Sequence, residues 1–218
     1  MKKHIVCFGD SNTHGYCADP ADCAEGGDRF NEDERWTCLL QKKLGDGYLV
    51  LEEGLSGRTT VFPDPLHESM AGLDVIYSTL MSHEPVDLLI IMLGTNDTKE
   101  RLGVNAACIG IGMERLVMKA KSIPCWRGGQ PKILVIAPPH IGEGLYLRPE
   151  GMAMGLGCPA KSRGVAKEFA AVAARQGCAF LDAEGVAEFN RLDCMHLTRR
   201  GHACLAERLA SLVPGLLA

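Results

Sequence analysis

No apolar run in the sequence approaches the roughly 20 residues that a bilayer-crossing helix needs. The longest near the middle, Leu88 to Leu93, reads instead as a buried strand. An excess of basic charge is also missing: 23 Lys and Arg stand against 27 Asp and Glu, a formal charge of −4 with a pI near 6.0. That balance leaves no footprint for nucleic acid and no polybasic stretch for anionic lipid, so a small molecule is the expected partner. The 10 cysteines never form a CxxC pair and lack the ligand spacings of structural zinc. Cys7, Cys178 and Cys204 fall within apolar patterns, so reduced, buried thiols are expected in place of disulfides or a metal site. The apolar stretch behind Lys2 and Lys3 breaks at Asp10, too early for a secretory leader, and a cytoplasmic location is expected.

What is present is an alternation. Apolar segments at Ile5–Phe8, Tyr48–Glu52, Val86–Leu93, Lys132–Ala137 and Ala179–Asp182 read as strands. Amphipathic stretches lie between and after them, over Asp33–Leu44, Met70–Ser82, Val104–Ser122, Ala160–Arg175 and Thr198–Leu212. In the last, Leu205, Leu209 and Leu212 recur at helical spacing. Strand–helix alternation implies parallel strands joined by right-handed crossovers, with helices on both faces. The expected fold is α/β: a three-layer α/β/α sandwich around a flavodoxin-like five-stranded parallel sheet of order 2-1-3-4-5. The 218 residues, with no repeat or composition break, are expected to form one domain over 1–218. Most connections from helix to strand are short, whereas all five loops leaving the carboxyl ends of strands are long or unusual. Open α/β sheets bind their ligands at that edge.

Three of those loops carry reactive or polar groups. Ser11 in "GDSN" follows the first strand and Asn96 in "GTND" follows the third; the expected order makes these strands neighbours, with a crevice between them. In "DCMH", Asp193 precedes His196 by three residues, a spacing that lets the carboxylate hold imidazole Nδ1 and leaves Nε2 for a serine hydroxyl. Serine is a weak nucleophile at neutral pH unless a base adjoins it. Ser11, His196 and Asp193 therefore compose a candidate acyl-transfer triad. The Ser11 N–H, the Gly57 N–H in "GLSGRTT" and the Asn96 amide are candidate donors for the oxyanion of a tetrahedral intermediate. Gly57 suits that role because a residue without Cβ lets its backbone approach a ligand.

With these blocks in place the sequence resembles the SGNH (GDSL) hydrolases, whose serine, glycine, asparagine and histidine correspond in order to Ser11, Gly57, Asn96 and His196. The resemblance spans positions 5 to 212. The segments "RFNEDERWTCLL", "EEGLSGRTT" and "IIMLGTNDTK" look like the oligomeric bacterial arylesterase and acyltransferase branch, acting on short acyl esters. The resemblance implies the SGNH hydrolase fold, Ser11 as nucleophile, Asp193 and His196 completing the triad, an oxyanion hole of Ser11, Gly57 and Asn96, no cofactor, and a homo-oligomer. Asn12 stands where the GDSL pattern has leucine, a departure expected to bear on pocket shape more than on chemistry.

A serine esterase is the leading expectation, with an acyltransferase that uses an alcohol acceptor as its alternative. A third reading, a non-catalytic flavodoxin-like module for FMN or a phosphate ligand, lacks both GxGxxG and GxxxxGK[ST]. It also meets an acidic loop after the first strand. Asp10 and Asp97 are expected to hold their own loops through side-chain to backbone bonds. His4, His83 and His202 are expected in packing or solvent-facing roles; His14 and His140 fall on active-edge loops, and a substrate contact by His14 is the less favoured reading. Trp36 reads as core or subunit contact, and Asp19–Glu34 as a solvated loop. The apolar, glycine-containing loop from Pro138 to Pro159 is either a rim over the acyl pocket or a subunit contact.

Overall fold

The computed structural model describes residues 1–218. Five parallel strands, β1 (Lys3–Gly9), β2 (Tyr48–Gly54), β3 (Leu88–Met92), β4 (Ile133–Ala137) and β5 (Ala179–Asp182), form one sheet in the order β2-β1-β3-β4-β5. Every residue of β3 and β4 is buried, as their continuous Leu/Ile/Val runs require of strands covered on both faces. Helices supply the cover: α1 (Ser11–His14), α2 (Trp36–Leu44), α3 (Gly72–Ser82), α4 (Ala106–Lys121), α5 (Pro149–Met154), α6 (Cys158–Gln176) and α7 (Arg199–Leu216).

The period of two along each strand sorts side chains between two cores. Val6, Phe8, Leu89 and Ile91 pack with Ile76 and Leu80 of α3, Met113 and Leu116 of α4, and Phe169 of α6. Ile5, Cys7, Leu88, Ile90 and Met92 face the other way, onto Trp36 and Leu40 of α2 and Leu205 and Leu209 of α7. Trp36 is therefore a core residue, with no exposed surface.

Register fixes the active edge. Gly9 pairs with Gly54 on one side and Met92 on the other, so the chains leaving β1, β2 and β3 emerge side by side. Gly54 permits a close backbone approach: a Cβ there would lie 2.2 Å from the His14 nitrogen. Its lack of a side chain lets α1 settle on β2.

The elements differ from the sequence pattern mainly at their ends. The helix expected from Asp33 begins at Trp36, because the Glu34 side chain accepts the N–H groups of Ala24 and Asn31 and folds the preceding segment into a loop. That carboxylate is buried, unlike most of the solvated loop around it. α6 starts at Cys158, two residues before the expected boundary, with Pro159 in the first turn, where a missing N–H has no partner to lose. α7 continues to Leu216 through Pro214, which the final turn accommodates. Among the thiols, Cys204 lies exposed on α7, contrary to its apolar surroundings in sequence.

Candidate active site

The chain turns sharply as it leaves β1. The Asp10 carboxylate accepts the Asn12 N–H at 3.0 Å and caps the single turn of α1, which Gly15 ends in the left-handed region at φ 87°. Ser11, the first residue of that turn, is 6% exposed. Burial pushes the Asp10 carboxyl up to about 6, against opposing effects of its hydrogen bond from Asn12 and of His196, Arg58 and Lys99.

The loop after β5 presents the imidazole. Asp193 Oδ1 accepts the N–H groups of Met195 at 3.1 Å and His196 at 3.0 Å, closing a tight turn through Cys194 at φ 60°. Asn190 braces the same turn: its amide donates to Asp193 Oδ1 at 3.0 Å and to the His196 carbonyl at 2.8 Å. This leaves Asp193 Oδ2 for the ring, 2.5 Å from His196 Nδ1. Burial acts to raise the Asp193 carboxyl, but the hydrogen bonds and charge of His196 and the N–H of Met195 together hold it below its ordinary value. An ionised carboxylate only accepts, so the ring proton belongs on Nδ1 and Nε2 presents a lone pair. His196 Nε2 lies 2.8 Å from Ser11 Oγ. The Tyr16 ring packs 4.5 Å from the imidazole at 56° and walls its other side.

Gly57 and Asn96 come from the loops after β2 and β3. Both line a cavity of about 250 Å³ together with Ser11 and His196. Gly57 sits at φ 92°, a conformation that disfavours any side chain, and its N–H makes no hydrogen bond within the chain. Asn96 Nδ2 donates one of its protons to the Arg58 carbonyl at 3.2 Å, which leaves the other available. The fold thus gathers all five residues singled out in sequence, Ser11, Gly57, Asn96, Asp193 and His196, at one edge of the sheet.

Other lining residues were not singled out beforehand: Tyr16, Ser56, Thr95 and Met195 near the chemical groups, and Glu150 and Ala153 from α5; Met154, also of α5, belongs to the apolar loop read as a rim or a subunit contact. The Pro138–Pro159 loop therefore does form a rim. Its outer side chains Leu147 and Met152 stay 87% and 85% exposed, so a subunit-contact role is compatible with the same loop. A buried ion cluster anchors α5. Asp64 binds Lys99 Nζ at 2.9 Å and Arg101 through both carboxylate oxygens, at 2.9 and 2.7 Å. Those hydrogen bonds, from Arg101 foremost, hold the Asp64 carboxyl well below the usual range. Arg101 Nη1 then donates to the Ala153 carbonyl at 2.5 Å.

Two expectations need correction. Asp97 does not secure its own loop; it accepts the Thr60 N–H from the loop after β2. Asn12 does not itself line the cavity; its buried side chain bonds to the backbone of the loop after β5. His14 is outside the cavity lining.

A doubly covered parallel sheet of order 2-1-3-4-5, with serine, histidine and aspartate hydrogen-bonded at its carboxyl edge, defines a class of α/β ester hydrolases. The chain belongs to the GDSL-like lipase/acylhydrolase family, whose model matches residues 7–204. It is a carboxylic ester hydrolase with the SGNH fold, acting on small-molecule esters. Among solved structures it is similar to the native aryl esterase of M. smegmatis, with a TM-score of 0.87 and 35% identity over 99% of this chain and 100% of that one. It is also similar to Est24, a carbohydrate acetylesterase from Sinorhizobium meliloti, with a TM-score of 0.87 and 33% identity over the same shares. No curated protein matches the chain. No helix is long and apolar enough to cross a membrane.

Proposed function

We propose that the protein is a serine esterase that hydrolyses short-chain, acetyl-type acyl esters through an acyl-Ser11 intermediate. The observation that carries this reading is the hydrogen-bonded series from Asp193 through His196 to Ser11. His196 Nε2 takes the hydroxyl proton as Ser11 Oγ attacks the acyl carbonyl carbon. The carbonyl oxygen, now negative, rests against the N–H groups of Ser11 and Gly57 and the free Asn96 amide proton. His196 then returns the proton to the departing alkoxide, and an alcohol leaves. Water attacks the acyl-serine, gives its proton to Nε2, and the carboxylic acid departs as Ser11 recovers its hydroxyl. Throughout, Asp193 keeps the imidazole in the required tautomer and stabilises its cationic form.

The cavity of about 250 Å³, narrowed by Met154 and Met195, supports a short acyl group. The apolar wall of Ala153, Met154 and Met195 also favours a second reading, in which an alcohol lodged there intercepts the acyl-serine and yields a new ester. Hydrolysis of a chromogenic acetate ester tests the first reading. Ser11→Ala should abolish turnover, and full activity in that variant overturns it. The same assay on the unaltered enzyme with added alcohol tests the second, which fails if no new ester forms.

A further inference from the structure

Asn12 follows Ser11 directly and is 1% exposed. Its side chain crosses to the loop after β5, where Oδ1 accepts the Leu197 N–H at 2.9 Å and Nδ2 donates to the Met195 carbonyl at 3.4 Å. These are the residues on either side of His196. The Asn12 backbone is itself held, since its carbonyl accepts the Trp36 indole N–H at 3.1 Å.

We propose that Asn12 is a positioning residue for ester hydrolysis: its amide ties both flanks of His196 to the turn bearing Ser11 and so sets the separation of the two reacting side chains. The inference rests on the roles proposed above for Ser11 and His196. Asp193 and Asn190 shape the histidine turn from within, so they orient the ring relative to its own loop but not relative to the serine, 185 residues away in sequence. The Ser11–His196 hydrogen bond cannot hold that distance through a catalytic cycle. Its proton moves in the first step, and while Ser11 is acylated the hydroxyl is gone. The Asn12 bridge involves no reacting atom and persists through both stages. It keeps Nε2 within reach of the incoming water when the serine can no longer help.

Leucine at this position would fill a similar volume and offer neither bond. Asn12→Leu is therefore expected to lower kcat by roughly 10- to 100-fold, the scale of a displacement near 1 Å. Its KM for a chromogenic acetate ester should change by less than about threefold, because the residue does not touch substrate. Labelling of Ser11 by a serine-directed phosphonate should slow in parallel. Asn12→Asp gives a second readout. Its carboxylic acid form can accept from Leu197 and donate to Met195, whereas the ionised form has no donor. The activity of Asn12→Asp relative to the unaltered enzyme should rise as pH falls. A purely structural residue would lower melting temperature without this dependence.

Ser11→Ala measured alongside separates the two ideas. If Ser11→Ala is inactive while Asn12→Leu keeps the original kcat, the positioning role falls alone; if Ser11→Ala stays active, the serine mechanism falls. Should Asn12→Leu not fold, a pH-independent activity ratio for Asn12→Asp overturns the proposal by itself.

Discussion

The Asp97 carboxylate receives the Thr60 backbone N–H on both oxygens, at 3.0 and 3.1 Å, and the Thr60 hydroxyl as well. Both residues are completely buried. Burial raises the Asp97 carboxyl to about 6; the Thr60 bonds oppose the rise and neighbouring Asp10 reinforces it. The link joins the loop after β3 to the loop after β2, three residues beyond Gly57 and one beyond Asn96. Two donors from separate loops thus share one brace, which fixes their spacing before substrate arrives. Such preorganisation is what makes a donor effective against a charge that exists only fleetingly.

Asn96→Ala is accordingly expected to lower kcat by about 10²- to 10³-fold with little change in KM, since in the proposed mechanism the amide acts on charge that develops in the transition state. Steady-state kinetics on an acetate ester check this. A kcat within about threefold of the original would remove Asn96 from the oxyanion site.

Asp193→Asn preserves the oxygen that accepts the N–H groups of Met195 and His196, so the turn should persist. The other oxygen becomes an amide that cannot accept the Nδ1 proton, which favours the wrong tautomer. A fall in kcat of about 10⁴-fold is expected, with secondary structure unchanged by circular dichroism. Retained activity with a folded protein would mean that Asp193 only shapes the loop.

His202 is fully buried on α7, where Nδ1 accepts the Trp36 N–H at 3.2 Å and the Phe30 ring meets it edge-on at 4.9 Å. Burial first, then the charges of His196 and Arg35, lower its pKa from 6.5 to about 3. A base depressed on folding contributes stability that is fully present above the unfolded pKa and is lost as pH drops from 6.5 toward 3. At pH 5 that loss is about 2 kcal/mol relative to pH 7.5. Asp10 and Asp97, with raised values, act in the opposite sense between about 6 and 3.8, so total stability alone does not isolate the effect. The comparison with His202→Phe does: the stability advantage of the unaltered protein, from urea unfolding, should shrink by about 2 kcal/mol between pH 7.5 and pH 5. A constant difference across that range would show that His202 does not resist protonation.

The strands were readable because burial on both faces leaves continuous apolar runs, as in Leu88–Met92 and Ile133–Ala137, and because turn residues break them sharply at Asp10 and Gly94. Parallel strands covered on both faces followed from the strand–helix alternation and crossover handedness, whereas the order 2-1-3-4-5 was that of the flavodoxin-like arrangement. The chemical groups of the cavity stood out for the same reason: each lies just past a strand end, in a loop whose composition serves no core. The supporting contacts left no such mark. Asn12 and Leu197 lie 185 positions apart, Asp97 and Thr60 lie 37 apart, and no periodicity links an amide in one loop to a backbone group in another. Tyr16 and Ala153 depend on where their loops return to the sheet edge, which local pattern does not encode. His202 sits on the apolar stripe of α7, so its burial could be foreseen but its partner, the amide opening α2, could not.

Arg101 grips the segment around Ala153 and draws its own rigidity from Asp64, while Ile141, Leu145 and Met154 pack against Cys194 and Met195, the two residues before His196. Ceiling and proposed base therefore share a foundation, which the Gly142 N–H reinforces by donating to the Cys194 carbonyl at 2.8 Å and Arg148 by donating to the Arg191 carbonyl at 2.9 Å. Substitutions between Gly142 and Gly157 that resize the chamber bear at once on the segment that presents the imidazole. A scaffold joined in this way couples any change of substrate range to the placement of its own base.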